Sequence, residues 1–367
     1  MNRAVLAFLA IASLSGQTAQ TPPPTPIVSP EVHPDHTVIF RLRAPHAVAV
    51  TLNLEGAKAA PMEKDDAGIW TYSTPMLEPD IYGYTFNIDG VGMMDPNNSM
   101  MKPNLLNNSS AVHIPGPGLP WEVRDIPHGE VHHHFYKSAL VGDNRDYYVY
   151  TPPGYTSGNT KYPVLYLLHG YSDDASGWSA VGRANIILDN LIAEGTAKPM
   201  IIVMPLGYGA PEVLNRVRIN TEKFRLNTTR FADVLLTEII PQVEKEYRVD
   251  RRREMRAIAG LSMGGAESLY TGLNNLDKFA YIGSFSAGGL GEDYDAIFPK
   301  LDQSANKQIK LLWIACGTED RLIETNRKFR DMLSAKYVRF IPIETPGMHT
   351  WMVWRRNLAA LAPLLFQ

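Results

Sequence analysis

One stretch of this chain combines residue types and spacing that could do covalent chemistry: Ala257-Ile-Ala-Gly260-Leu-Ser262-Met-Gly264-Gly265, followed by Ala266-Glu-Ser-Leu-Tyr. Its G-x-S-x-G spacing follows a short apolar run and precedes a helix pattern, the context in which a serine is presented on a tight strand-to-helix turn. Glycines at 260 and 264 leave room for strand and helix to approach, so Ser262 is the expected nucleophile. A serine hydroxyl is a poor nucleophile until a base takes its proton. On a strand–turn–helix scaffold of this kind the chain order is serine, acid, histidine, and of the ten histidines only His349 lies beyond Ser262. It sits in Thr345-Pro-Gly-Met-His349-Thr-Trp, a Pro/Gly loop ahead of a final helix pattern. The acid should leave a strand between the two. Lys310-Leu-Leu-Trp-Ile-Ala-Cys316 is that strand, and Gly317-Thr-Glu319-Asp320 follows its C-terminal end, where open α/β sheets keep their functional loops. Asp320 is the expected partner of His349, with Glu319 as the alternative.

Charge that develops on an attacked carbonyl oxygen needs two preorganised N–H donors. The backbone N–H of Met263, directly after the nucleophile, is one. The other should come from the loop after Val164-Leu-Tyr-Leu-Leu-His169-Gly170, with Tyr171 the best candidate and His169 a support for that loop. Trp178, Tyr208 and Trp351 lie in segments expected near the cleft and are assigned to substrate contact. No metal and no cofactor is expected. The single Cys316 cannot build a cysteine-rich zinc site, and His132-His-His134 falls on a strand pattern that sends neighbouring side chains to opposite faces.

The elements that must position these residues divide into two kinds. Pro163 to Leu168, Met200 to Met204, Met255 to Ala259 and Ile309 to Ala315 are short, nearly wholly apolar runs separated by helix-like stretches. Buried strands alternating with helices mean a mostly parallel sheet covered on both faces. Before residue 115 the dominant period is two instead: Thr37–Ala44, Ala47–Leu54, Ile69–Thr74 and Tyr82–Ile88 read as strands with turn clusters between them, the pattern of a small antiparallel β-sandwich. Pro115-Gly-Pro-Gly-Leu-Pro stops any regular element. The expected organisation is a signal peptide over 1–20, a linker over 21–28, a β-sandwich over 29–115 and an α/β domain over 116–367. The signal-peptide reading rests on the apolar run Ala4–Leu14 after Arg3, too short to span a bilayer, and implies a secreted or periplasmic protein. With 367 residues, 45% hydrophobic and 20% charged, the chain can bury a sizeable core. Its net charge of −3 offers no field for nucleic acid. Membrane partners are not expected either, and the oligomeric state is left open. The sandwich carries five Lys/Arg against ten Asp/Glu.

Two resemblances sharpen this reading. Val38-Ile-Phe-Arg-Leu-Arg-Ala-Pro, Gly68-Ile-Trp, Tyr82-Gly-Tyr-Thr-Phe-Asn-Ile-Asp-Gly and Asp95-Pro-Asn-Asn resemble the early-set β-sandwich related to family 48 carbohydrate-binding modules. That likeness implies an immunoglobulin-like sandwich in which Trp70, Tyr82 or Tyr84 either contact glycan or, the reading favoured by their alternation along strands, pack. His169-Gly-Tyr-Ser-Asp-Asp-Ala-Ser-Gly-Trp178, Gly260-Leu-Ser-Met-Gly-Gly, Gly317-Thr-Glu-Asp-Arg-Leu and Gly347-Met-His-Thr-Trp-Met-Val-Trp are similar to the esterase family that includes feruloyl and acetylxylan esterases of carbohydrate esterase family one. Enterochelin esterases, esterase D and the mycolyltransferases belong to it too. This resemblance implies an α/β-hydrolase fold, a serine carboxylic ester hydrolase with the triad Ser262, Asp320 and His349, and as substrate a feruloyl or acetyl ester on plant cell-wall polysaccharide. Siderophore hydrolysis and acyl transfer are the enzymatic alternatives. A carbohydrate-binding protein on a silent hydrolase fold is the non-enzymatic one.

Overall fold

Alternation of apolar and polar side chains builds the N-terminal half. Val38–Arg43 and Val50–Leu54 each bury every second residue, as a strand does when one face meets a core and the other meets water. The computed structural model describes residues 26–215 and 220–367, so the expected signal peptide and most of the linker lie outside the described residues. From Glu31 to Ile114 the strands form two antiparallel sheets. The first orders Glu31–Val32, Val38–Arg43, Ile69–Ser73 and Glu63–Lys64. The second is centred on Val50–Leu54, Asp80–Ile88 and Ser109–Ile114. Their shared core holds Phe40, Leu52, Trp70, Tyr82, Tyr84 and Phe86. The polar atoms of its aromatics are used internally. Trp70 Nε1 donates to the Ala44 carbonyl and Tyr84 Oη to Asp95. Trp70, Tyr82 and Tyr84 are therefore core residues and not a glycan platform.

The C-terminal half is one eight-stranded sheet, made of Glu130–Lys137 (β1), Asn144–Thr151 (β2), Val164–Leu168 (β3), Ile201–Pro205 (β4), Arg256–Leu261 (β5), Tyr281–Phe285 (β6), Leu311–Gly317 (β7) and Ile341–Thr345 (β8). Their spatial order is 1-2-4-3-5-6-7-8, antiparallel through β1 and β2 and parallel from β4 onward. This is the α/β-hydrolase arrangement expected from the sequence. β3 to β7 are buried along their whole length, because Ala184–Ala193 (α1), Thr221–Val234 (α2), Met263–Asn274 (α3), Ile323–Ala335 (α4) and Trp351–Leu361 (α5) supply the cores of both faces. The edge strand β1 carries the histidine run, and its alternation holds. His133 stacks on Tyr148, whereas His134 stacks on Tyr147 from the other face.

Candidate active site

The strands β3, β5, β6, β7 and β8 end beside one another and each delivers one piece of the site. β5 runs straight into α3, and the residue between them, Ser262, is held at φ 51° and ψ −113°, a sparsely populated conformation for a residue with a side chain. The packing explains why glycines flank it. A Cβ on Gly260 would lie 2.4 Å from the Gly264 carbonyl oxygen, and one on Gly264 would lie 2.4 Å from that of His169. Ser262 N–H donates to the Phe285 carbonyl, which ties the turn to the end of β6.

β7 and β8 bring the other two groups. Gly317 and Gly347 meet backbone to backbone, where a Cβ on Gly317 would fall 2.2 Å from the Gly347 oxygen. Glu319 N–H donates to that same oxygen. The two loops are thereby locked together, with Asp320 buried and Glu319 turned out to solvent. His349 Nδ1 stands 2.8 Å from Asp320 Oδ2, and its Nε2 stands 3.0 Å from Ser262 Oγ. Asp320 accepts from His349 Nδ1–H, which leaves the Nε2 lone pair facing the serine hydroxyl. Burial alone would push the Asp320 carboxyl up. The hydrogen bond and charge of His349, the Leu322 N–H and the Ser286 hydroxyl outweigh it and hold the group below the usual carboxylate range.

Opposite the histidine lies the loop after β3. A Cβ on Gly170 would fall 2.6 Å from Leu261 Cδ1 and in ordinary contact with the Ser262 Cβ, so a larger residue here would press on the side chain that leads into the elbow. Met263 is the first residue of α3, and its N–H has no acceptor in the helix ladder. The Tyr171 N–H has no acceptor among the described residues. His169 braces the loop from below. Its Nδ1–H donates to the Gly170 carbonyl and its Nε2 accepts from the Gly207 N–H, 2.8 Å in each case. Burial pushes its pKa down to about 4, so it stays neutral and rigid. Cys316, at the end of β7, is buried, and burial with the nearby Asp320 carboxylate pushes its thiol up to about 12. It is no competing nucleophile.

Three expected substrate contacts are corrected by burial. Trp178 is fully buried and donates from Nε1 to the Leu168 carbonyl under the loop after β3. Trp351 packs edge-on against it. Tyr208 is buried and donates from Oη to the Asp173 carbonyl. All three lie in the right segments, but they pack behind the site and do not face the cleft. Sequence reading missed Ser286, directly after β6. At φ 53° it accepts a hydrogen bond from Trp354 Nε1 and faces Asp320. Trp354 in turn presents its ring edge-on to His349 at 4.9 Å. The available signal was a serine at the C-terminal end of a buried strand, followed by Ala-Gly-Gly. A surface cavity of about 800 Å³ beside α2 and α3 is lined by Arg225, Asp233, Tyr270 and Glu292 but by neither Ser262 nor His349, so volume alone does not mark this site.

Comparison with known proteins agrees with this architecture. Residues 138–365 match the family model described as Putative esterase. The endo-1,4-beta-xylanase/feruloyl esterase of Xylanibacter ruminicola is 30% identical over 354 residues, 92% of this chain and 46% of that protein. The present chain thus spans less than half the length of that relative. Among solved structures, a ferulic acid esterase of carbohydrate esterase family one from Anaeromyces mucronatus is 27% identical. It superposes with a TM-score of 0.60 over 68% of this chain and 96% of its own. The enterobactin esterase of Shigella flexneri, at 18% identity, shares the fold over 89% of this chain and 92% of its own with a TM-score of 0.65. The family model, which matches more than half of the chain, and the Xylanibacter ruminicola relative show that the chain belongs to the esterase family, with an α/β-hydrolase fold.

Proposed function

We propose that this protein is an exported serine esterase that removes feruloyl or acetyl groups from plant cell-wall polysaccharide through an acyl-enzyme. The observation that carries the mechanism is the continuous line from Asp320 through His349 to Ser262, with both hydrogen-bond distances at 3.0 Å or less. Ser262 Oγ attacks the ester carbonyl carbon while its proton passes to His349 Nε2. The carbonyl oxygen becomes an oxyanion that accepts from the Met263 and Tyr171 N–H groups. When the tetrahedral species collapses, the carbon–oxygen bond to the alcohol breaks and His349 returns the proton to the departing oxygen. Water then repeats the sequence on the acyl-enzyme, giving up its proton to His349 and releasing the acid. Asp320 holds the imidazole in the required tautomer and stabilises the imidazolium.

The substrate assignment draws support from the names of the relatives, a xylanase/feruloyl esterase and a ferulic acid esterase. Export draws support from the apolar run Ala4–Leu14 behind Arg3. Two experiments test the two levels separately. Hydrolysis of p-nitrophenyl acetate should be lost in Ser262→Ala, and equal rates in the two proteins would remove the mechanism. A comparison of kcat/KM on methyl ferulate, acetylated xylan and ferric enterobactin tests the substrate. Preference for the siderophore would replace the cell-wall reading while leaving the mechanism standing.

A further inference from the structure

His349 is followed after one residue by α5, and that helix has an unusual start. Its own N-cap residue, Thr350, makes no side-chain cap, and the Thr350 hydroxyl is buried without a partner among the described residues. The Trp351 N–H instead donates to Oε1 of Glu55, 296 residues earlier in the β-sandwich, at 3.2 Å. Oε2 of Glu55 accepts from the Gly83 N–H at 2.9 Å and from Lys102 Nζ at 3.0 Å. Burial would push this carboxyl up, but the Lys102 charge and the Gly83 N–H hold it below its ordinary range. An ionised carboxylate therefore faces the positive end of the helix that begins beside His349.

A second contact from the same half grips the opposite wall. Asn104 Nδ2 donates to Ser172 Oγ at 2.9 Å and to Asp173 Oδ1 at 3.1 Å, and the Leu105 N–H donates to the Ser172 carbonyl at 2.7 Å. Ser172 follows Tyr171 and is held at φ 73°, a left-handed conformation that a serine adopts only when its surroundings enforce it. Asn104 is itself fixed, its Oδ1 accepting from the N–H groups of Leu106 and Asn107. Lys102 and Asn104 belong to one short segment, so a single edge of the sandwich reaches both the histidine side and the oxyanion side of the site.

We propose that Glu55 and Asn104 are positioning residues of the esterase reaction, and that the β-sandwich is a brace that sets His349 and the Tyr171 N–H against Ser262. This rests on the catalytic roles proposed above for those three groups. Misplacing a reacting group by about 1 Å can cost on the order of 10²-fold in rate, and a group that acts only in the transition state lowers kcat without raising KM.

The test uses the full chain and p-nitrophenyl acetate, an ester too small to reach a glycan-binding surface. Active sites are counted by phosphonate titration, so unfolded protein does not enter the rate. In Glu55→Ala and Asn104→Ala, kcat per titrated site should fall about 10- to 100-fold, with KM within about two-fold of wild type. Asn104→Asp keeps the side chain's size but loses both donated bonds, and should behave like Asn104→Ala. Glu55→Gln keeps an oxygen for the Trp351 N–H but sets an amide NH2 against the Gly83 N–H and Lys102 Nζ, so it should recover only part of the rate. Val48→Ser, at an exposed sandwich position, should leave kcat unchanged. If the alanine variants keep wild-type kcat per site, or raise KM alone, the brace is wrong, provided Ser262→Ala is inactive. Activity in Ser262→Ala would overturn the catalytic roles themselves.

Discussion

At the scale of single residues, the chemistry depends on which proton sits where. Asp320 is held in its ionised form by His349, Leu322 and Ser286 against the effect of its burial. Asp320→Asn should present the wrong imidazole tautomer to Ser262 and lower kcat by roughly 10³- to 10⁴-fold with little change in KM, measurable on any chromogenic ester. Glu319→Gln, at an exposed position, should leave kcat within about two-fold, which in steady-state kinetics separates the two neighbouring carboxylates. Ser262 and His349 were legible in the sequence for a physical reason. The elbow needs glycines at fixed offsets, and chain order leaves one histidine. Trp178, Tyr208 and Trp351 were misread because an aromatic residue near a motif looks the same whether its ring turns to the cleft or to the core. Ser286 escaped notice because its partners, Trp354 on α5 and Asp320 after β7, come from elements far from it in the chain.

At the scale of elements, the loops between strand ends and helices hold the site. Gly264→Ala would push a methyl group into the backbone carbonyl of His169, which cannot move without displacing the oxyanion-side loop. The variant should lose activity and melt at lower temperature, and a wild-type melting curve with wild-type kcat would contradict the tight elbow. Asp173, in the same loop, gives a pH signature. Burial pushes its carboxyl up to about 7, with Lys102 and Asn104 opposing and Asp174 adding to the shift. The folded chain therefore keeps a proton that the unfolded chain loses near its ordinary carboxylate range. Stability from this group is full at low pH, falls as pH rises toward 7 and is level above it. Asp173→Asn removes that loss, so its melting temperature relative to wild type should climb between pH 5 and pH 8. A constant difference would mean that Asp173 is ionised throughout. The strands of both halves were legible from their periods of two and their apolar runs. The caps and loop contacts were not, since Glu55 and Trp351 are 296 residues apart and nothing local in either segment announces the other.

At the scale of the whole molecule, the two halves form one structure. Arg355 on α5 is fully buried and donates to Asp80 Oδ1 and the Ile81 carbonyl of the sandwich and to the Val181 carbonyl of the α/β half. Removing one member of a buried pair strands the other's charge, so Asp80→Ala should cost about 3–5 kcal/mol. Asp80→Ala combined with Arg355→Met should recover much of that loss in denaturant unfolding. Full recovery is not expected, because the guanidinium also satisfies two carbonyls. The proposed mechanism requires that Ser262 carry the acyl group between the two half-reactions. Acid quenching during turnover of an aryl ferulate, followed by mass spectrometry of the tryptic peptide Ala257–Lys278, tests it most directly. One feruloyl group is expected on Ser262, absent from Ser262→Ala. Turnover with no adduct, or an adduct on another residue, would contradict it.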